Sequence, residues 1–426
     1  MTNSSATGPS GTRPDAWTVR GIGRDEFPEV ARVVGEALLS PTDVETRVER
    51  LLPITGGSGL DRILVAVDGD EVVGAVNSFD FEMAMPGGPR QVAAVTGVGV
   101  WPTHRRRGVL SALMRRQLAD LHAAGESVAA LWASEGGIYG RFGYGAASME
   151  AELSVASPYA VLRADAPRDP ELTVRLSDPG SVRAEMEALF RREAATRIGR
   201  FQRSEAWWDR VLRDESSERG GQGPLRAVVV SGPDGPQGYA LYRVRGEWGA
   251  TGPLGELRVQ EMVSTTPAAR VALYEHVFSR DLVARIVLDS TAMDDPLWTL
   301  AADRQRIGAV PGTALWVRLV DVRAALAERA YAAPVEAVVE VTDRHAPWNA
   351  GRWSLKADRE GARAEATESG PDLSLDVSQL GAAYLGQNTL SAQLAAGVLT
   401  EHTPGAAERL DAALRVPHAP LCAVIF

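Results

Sequence analysis

A chain of 426 residues is too long for one hydrophobic core and suggests about three domains. Its 45% hydrophobic and 23% charged residues are those of an ordinary globular protein, and a formal net charge of -10 argues against a general nucleic-acid binder. The one cysteine, Cys422, excludes an internal disulfide framework and a cysteine metal cluster, and no run of about 18 apolar residues is present to span a membrane.

Residues 1–15, "MTNSSATGPSGTRPD", are polar and lack the apolar segment of a secretion signal. They are expected to form a disordered tail on a cytoplasmic protein. From Trp17 onward helix and strand alternate. Residues 26–39 have helical spacing, and residues 62–81 read as two strands joined at an Asp68-Gly69 turn. The β-branched run 90–100 feeds into "THRRRGVLSALMRR", where Val109, Leu110, Leu113, Met114 and Leu118 recur at helical spacing until Gly125, a C-cap residue. "VAALWAS" then reads as a buried strand.

The same order returns in residues 226–290, as a hairpin, a strand, a helix and "VARIVLDS", but without the arginine and glycine loop. A duplicated domain that kept its fold and lost its loop accounts for this. From about Leu315 one helix precedes four strand-like segments, further helices and a final "APLCAVIF", the pattern of a small α+β domain. The expected divisions are therefore 16–155, 156–315 and 316–426.

A run of three arginines means little in a chain with 45 Lys+Arg of which only Lys356 is lysine. Its position means more. A glycine following basic residues, between a strand and a helix, offers backbone amides to an anion, and arginines add charge where two phosphates could sit. A solvated helix start and another kind of anion site remain alternatives. Arg105-x-x-Gly108 resembles the loop with which the GNAT acetyltransferases hold the coenzyme A pyrophosphate, although Leu110 replaces the last small residue of that pattern. About 30 residues on, "IYGRFGY" resembles the GNAT motif that places a tyrosine near the coenzyme sulfur, with Tyr139 at that position. A packed tyrosine in a glycine-rich turn is the alternative.

Together "PTHRRRG", "ASEGGIYGRFGYG", "GYALYRV" and "AAYLGQNTLSAQLAAG" resemble the enhanced intracellular survival (Eis) family of actinobacterial GNAT N-acetyltransferases. The resemblance implies a mixed α/β chain of two tandem GNAT-like domains, the second without a coenzyme site, followed by a sterol-carrier-protein-like domain. It also implies a homo-hexamer. The implied acetyl-CoA contacts fall on Val98, Gly99 and Val100, on Arg106, Arg107, Gly108, Val109, Leu110 and Ser111, and on Ser134 and Glu135. Tyr139 takes the role of general acid, and the terminal carboxylate of Phe426 that of general base. An α-carboxylate drawn into a pocket by an apolar tail is made more basic by desolvation. A last buried strand ending in a hydrophobic plug is the other reading of "LCAVIF".

The implied acceptors are small-molecule amines, aminoglycosides or other polyamines. Peptide lysines are an alternative substrate, and a coenzyme A or lipid-binding scaffold is an alternative class. Family members with strong aminoglycoside activity carry an acidic residue beside the terminal one, where this chain has Ile425. Glu36, Asp43 and Glu45 could attract a cationic acceptor. Trp17, Trp101 and Trp132 are expected in the core. The six histidines, His104 included, show no metal spacing, so no metal is expected.

Overall fold

A computed structural model describes residues 17–55 and 59–426, so the expected tail at 1–15 lies outside the described residues. The chain forms two compact units. One holds the chain up to Phe79 together with Thr96–Ala119; the other holds Asp80–Val95 and Asp120–Phe426.

In the first unit β1 (Trp17–Gly21), α1 (Phe27–Ala37), α2 (Val44–Thr55) and β2 (Leu64–Asp68) precede β3 (Glu71–Met85). β4 (Gly88–Val100) and α3 (Val109–Ala123) follow. β3, β4 and α3 continue into the second unit. β1, β2 and β3 pair antiparallel in that order, with Gly69 at φ +63 in the expected tight turn between β2 and β3. Phe27, Val30, Val33 and Val34 recur every three or four residues, so α1 buries one face against Val65, Val67, Val72 and Ala75. α3 lies close on β3. A Cβ on Gly74 would come within 2.8 Å of Val109 Cγ1.

The second unit continues with β5 (Val128–Trp132), α4 (Gly136–Tyr139), β6 (Gly145–Ala146), β7 (Met149–Ala156) and β8 (Thr173–Ser177). Next come α5 (Arg183–Ala194), α6 (Glu205–Val211), β9 (Arg226–Gly232), β10 (Gly235–Arg245), and the short β11 (Trp248–Gly249) and β12 (Gly252–Pro253). β13 (Gly255–Ser264), α7 (Pro267–Phe278), β14 (Val283–Ala292), α8 (Leu297–Leu300), β15 (Ile307–Thr313) and β16 (Leu315–Leu319) complete the repeat. The last part holds α9 (Val322–Glu328), β17 (Val335–Thr342), β18 (Gly351–Ala357), β19 (Ala362–Ala366) and β20 (Leu373–Asp376). It closes with α10 (Val377–Ala383), α11 (Leu390–Ala395), β21 (Thr400–Glu401) and α12 (Ala406–Leu414).

Seven strands form a sheet in the order β15-β7-β14-β13-β10-β9-β8, and five form another in the order β19-β18-β17-β20-β21. The repeated order is present in the fold. β13 and β14 pair in parallel from Gly255 to Val259, as β4 and β5 do from Ala93 to Val95. The helix starts differ: Thr266 caps α7 through its own hydroxyl, which accepts from Ala269 N at 3.2 Å, whereas Gly108 has no side chain to do this for α3.

Strands are exchanged along the chain. β7, from the stretch before residue 157, sits between β14 and β15, while β16, just past β15, inserts between β5 and β6. α10 then packs on β16 and β6 through glycines. Gly381 lies so close to Val317 that a Cβ would fall 2.4 Å from its carbonyl oxygen. The alternative of a last buried strand does not hold: "LCAVIF" is irregular, and Ala423 adopts φ +58, which an extended strand does not contain.

Gly145→Ala would set a methyl 2.0 Å from Ser378 O and 2.3 Å from Ala382 N, both backbone atoms that cannot rotate aside. The variant is expected to lose about 1–3 kcal/mol or more and to show a lower thermal midpoint by calorimetry. An unchanged midpoint would show that α10 is not pressed against β6.

Candidate active site

Within the first unit, the strand residues Val98, Gly99 and Val100 and the loop residues Arg106–Ser111 come together at one strand-to-helix junction. Gly99 is buried against α1, where a Cβ would approach Ala37 Cβ to 2.9 Å. After β4 the Trp101 amide donates to Val73 O at 2.8 Å and a short turn, Pro102–His104, leads to the arginines. Arg106 has φ +61 and Gly108 φ +94. The left-handed conformation at an arginine is a strained choice, costing about 1 kcal/mol or more, and marks a loop whose path is imposed. The first intrahelical bond of α3 runs from Ala112 N to Gly108 O. The amides of Val109, Leu110 and Ser111 come before it, and these are the groups a helix leaves for an anion.

Arg106 and Arg107 are exposed. Arg107 lies 5.4 Å above the Trp17 ring and 3.9 Å from Asp68, while His104 Nε2 is 3.2 Å from Asp68 Oδ2. Asp68 thus faces the basic loop from the β2 hairpin. A positively charged, amide-rich corner of this kind can bind a phosphate-bearing ligand. Val109 is buried and anchors the helix, and Leu110 and Ser111 are half-buried.

Asp43 accepts from Thr46 N at 2.8 Å and Thr46 Oγ1 at 2.9 Å, bonds that hold its carboxyl below the usual range, so it acts as the cap of α2. Glu36 and Glu45 are exposed. The tryptophans expected in the core are half-buried: Trp101 packs against the core of this unit and carries Arg32 at 4.2 Å on its ring, and Trp17 carries Arg107. Trp132, in the second unit, is likewise half-buried. These two stacked rings serve as guanidinium platforms, a use that composition does not signal. Among the described residues no three His, Cys, Asp or Glu side chains converge to hold a metal.

In the second unit Ser134 and Glu135 are exposed at the end of β5, directly before α4. α4 turns Tyr139 inward, leaving it 6% exposed. Burial, reinforced by the Glu135 charge, pushes its phenol up to about 12. The Tyr144 ring stands edge-on to it at 6.0 Å, and Tyr144 N donates to Tyr139 O at 3.2 Å. Gly143, at φ +82, makes the turn between them and leaves no room for a side chain beside Arg318. Tyr139 is therefore rigidly held and protonated at neutral pH.

Phe426 is 7% exposed, with its ring edge-on to Phe81 at 5.4 Å and to Phe201 at 6.1 Å. Phe81 and Phe201 stack at 4.0 Å, and Trp207 stands edge-on to both. The hydrophobic-plug reading is correct for the side chain. The aromatic box comes from β3, the segment before α6, and α6 itself. Nothing in any one of these stretches announces that it meets the last residue.

Residues 18–147 and 199–323 each match a family described as an acetyltransferase (GNAT) domain, and residues 322–423 match a sterol carrier protein domain. An uncharacterized N-acetyltransferase of Streptomyces coelicolor is 41% identical over 362 residues, 85% of this chain and 86% of the relative. The N-acetyltransferase Eis of Mycobacterium tuberculosis is 36% identical over 81% of this chain and 83% of its own length. The crystal structure of Eis1 from Mycobacterium abscessus superposes with a TM-score of 0.81 at 32% identity, covering 96% of this chain and all of that one. A GCN5-related N-acetyltransferase from Anabaena variabilis, at 18% identity and a TM-score of 0.79, shares the fold.

With its phenol at about 12, Tyr139 is expected to stay protonated from about pH 8 to 10.5. An ultraviolet titration of the wild type minus Tyr139→Phe is expected to show no tyrosinate band over that range. A difference band with a midpoint near 10 would mean that the phenol is solvated.

Proposed function

The chain belongs to the Eis family of GNAT N-acetyltransferases, and from this premise we propose that it moves an acetyl group from acetyl-CoA directly to an amine of an aminoglycoside-like or other polyamine acceptor. The observation that supports this best is the loop at Arg106–Gly108, with its imposed left-handed backbone ahead of the amides that open α3. In this reading the loop and Val109, Leu110 and Ser111 hold the pyrophosphate. The backbone of Val98, Gly99 and Val100 pairs with the pantetheine amides as an added strand would, and Ser134 and Glu135 complete the coenzyme contacts. Cys422 is buried, and burial followed by the Glu150 charge pushes its thiol up to about 11, so it is no acyl carrier.

The Phe426 carboxylate takes a proton from the acceptor ammonium. The freed amine attacks the thioester carbonyl, the tetrahedral adduct gives its second N–H proton to solvent as the C–S bond breaks, and the amide and coenzyme thiolate form. Tyr139 faces the thiolate as acid. With a phenol at about 12 against a thiol near 8.5, complete transfer from Tyr139 is uphill by roughly 3–4 pH units. Its contribution is therefore a hydrogen bond that strengthens as charge builds on sulfur, with solvent completing the protonation. The exposed Ile425, in place of an acidic neighbour, weakens attraction for polycations relative to relatives that carry one. The division into 16–155, 156–315 and 316–426, a homo-hexameric assembly and a cytoplasmic setting belong to the same reading.

Three variants probe the two ends of the site. Arg106→Ala and Arg107→Ala are each expected to weaken acetyl-CoA binding by about 1–3 kcal/mol in calorimetry, as lost charge-assisted phosphate contacts should. A C-terminal extension turns the Phe426 carboxylate into a neutral amide, and turnover is expected to fall by about 10²-fold or more while acetyl-CoA still binds. Full turnover in the folded, extended protein would remove Phe426 as the base.

A further inference from the structure

The last ten residues join no β-ladder; beyond one backbone bond, from Leu421 N to Ile198 O at 2.8 Å, they are held by polar side chains. Glu150, on β7 next to the edge strand β15, is 5% exposed. Its carboxylate accepts from Cys422 N at 2.7 Å and from Ala423 N at 3.2–3.3 Å. The Ser290 hydroxyl also donates to it. A buried carboxylate is tolerated only when such donors replace its water, and here two of the three are backbone amides of the tail. On the other side of the same residue, Arg200 Nη1 donates to Cys422 O at 3.0 Å. Arg200 is itself 2% exposed and sits 3.2 Å from Glu193 and 3.6 Å from Glu261, so its guanidinium has little freedom.

Between these two grips Ala423 is bent to φ +58. A non-glycine residue stays there only when its surroundings over-determine it. Bulk packing does not supply that constraint alone. A cavity of about 840 Å³ in the second unit is bounded on one side by the tail, through Pro417, His418, Leu421 and Ala423. With open space there, the bend is held by hydrogen bonds: Leu421 N donates to Ile198 O at 2.8 Å just before it, and the Cys422 and Ala423 amides are held by Glu150 at the bend itself. Two residues beyond the bend, Arg210 donates to Ile425 O at 3.3 Å, and then Phe426 enters its aromatic box.

We propose that Glu150 is a positioning residue for the acetyl transfer: by holding the Cys422 and Ala423 amides it fixes the bend that delivers the Phe426 carboxylate to its working place. The inference rests on the reading of Phe426 as the base. The bond to Glu150 spans 272 residues of sequence, so the strand that carries Glu150 and the tail are tied only in the folded chain.

The test uses the full-length enzyme and reads tail anchoring and turnover separately. Glu150→Ala is expected to speed release of Phe426 by carboxypeptidase Y about tenfold or more, because two hydrogen bonds holding the tail are lost. Its kcat is expected to fall by about 10²-fold, the scale of a misplaced catalytic group, with the KM for acetyl-CoA within about twofold of wild type. Glu150→Gln keeps one carbonyl oxygen for the Cys422 amide and should recover part of both. Ala423→Val attacks the bend from the tail, leaves the buried carboxylate in place, and should reproduce both effects should Glu150→Ala fail to fold. Ala423→Gly should cost little, since glycine accepts the bend. Unchanged Phe426 release in Glu150→Ala or Ala423→Val would overturn the anchoring role. Faster release with wild-type kcat would overturn its link to turnover. A failure of Phe426 as the base shows instead as full activity of the C-terminally extended enzyme, and the release assay is indifferent to it.

Discussion

Strand β16 is the constraint on which the second unit depends. It lies between β5 and β6, and its Arg318 side chain, fully buried, donates to Asp343 Oδ2 at 2.6 Å. Asp343 also accepts from the amides of His345 and Ala346 and from Asn349 Nδ2. An arginine and an aspartate with almost no exposure are costly to desolvate and costly to separate, about 3–5 kcal/mol when one partner is removed. Gly143, which makes the turn after Tyr139, abuts the Arg318 guanidinium. The buried pair therefore backs the turn after Tyr139 and at the same time ties the sterol-carrier-like part of the chain to β16.

The exchange of β7 has a parallel consequence. Placing β7 between β14 and β15 brings Glu150 into the interior of the second sheet, beside Ser290. A carboxylate there has to find donors, and the tail amides supply them. The Cys422 and Ala423 amides, bound to that carboxylate, are not free to join a ladder. The two GNAT domains differ at the helix starts. α7 is capped by Thr266, whereas α3 begins on a bare glycine behind two exposed arginines.

Local features were legible in the sequence wherever one stretch carried its own physical signal. The α1 stripe, the Asp68-Gly69 turn and α3 between Gly108 and Gly125 are periodicity and backbone chemistry acting over a few residues. The arginine loop was visible for the same reason. Strand exchange was not, since partner choice among β-branched strands leaves no local mark. Glu150, Arg200 and the aromatic box around Phe426 stayed hidden because their meaning lies in contacts with residues more than a hundred positions away. Tyr139 was identifiable by its motif, but its acidity was not: the shift to about 12 comes from burial that only the fold supplies.

The central claim is direct acetyl transfer from coenzyme to amine. Its most direct test is to follow release of the coenzyme A thiol from acetyl-CoA by the purified full-length protein over a panel of aminoglycosides, polyamines and lysine peptides, with mass spectrometry of each acceptor. Thiol release that depends on a small polyamine or aminoglycoside and matches one acetyl group gained per thiol is the predicted result. Release no faster than the background without enzyme across the whole panel would contradict it.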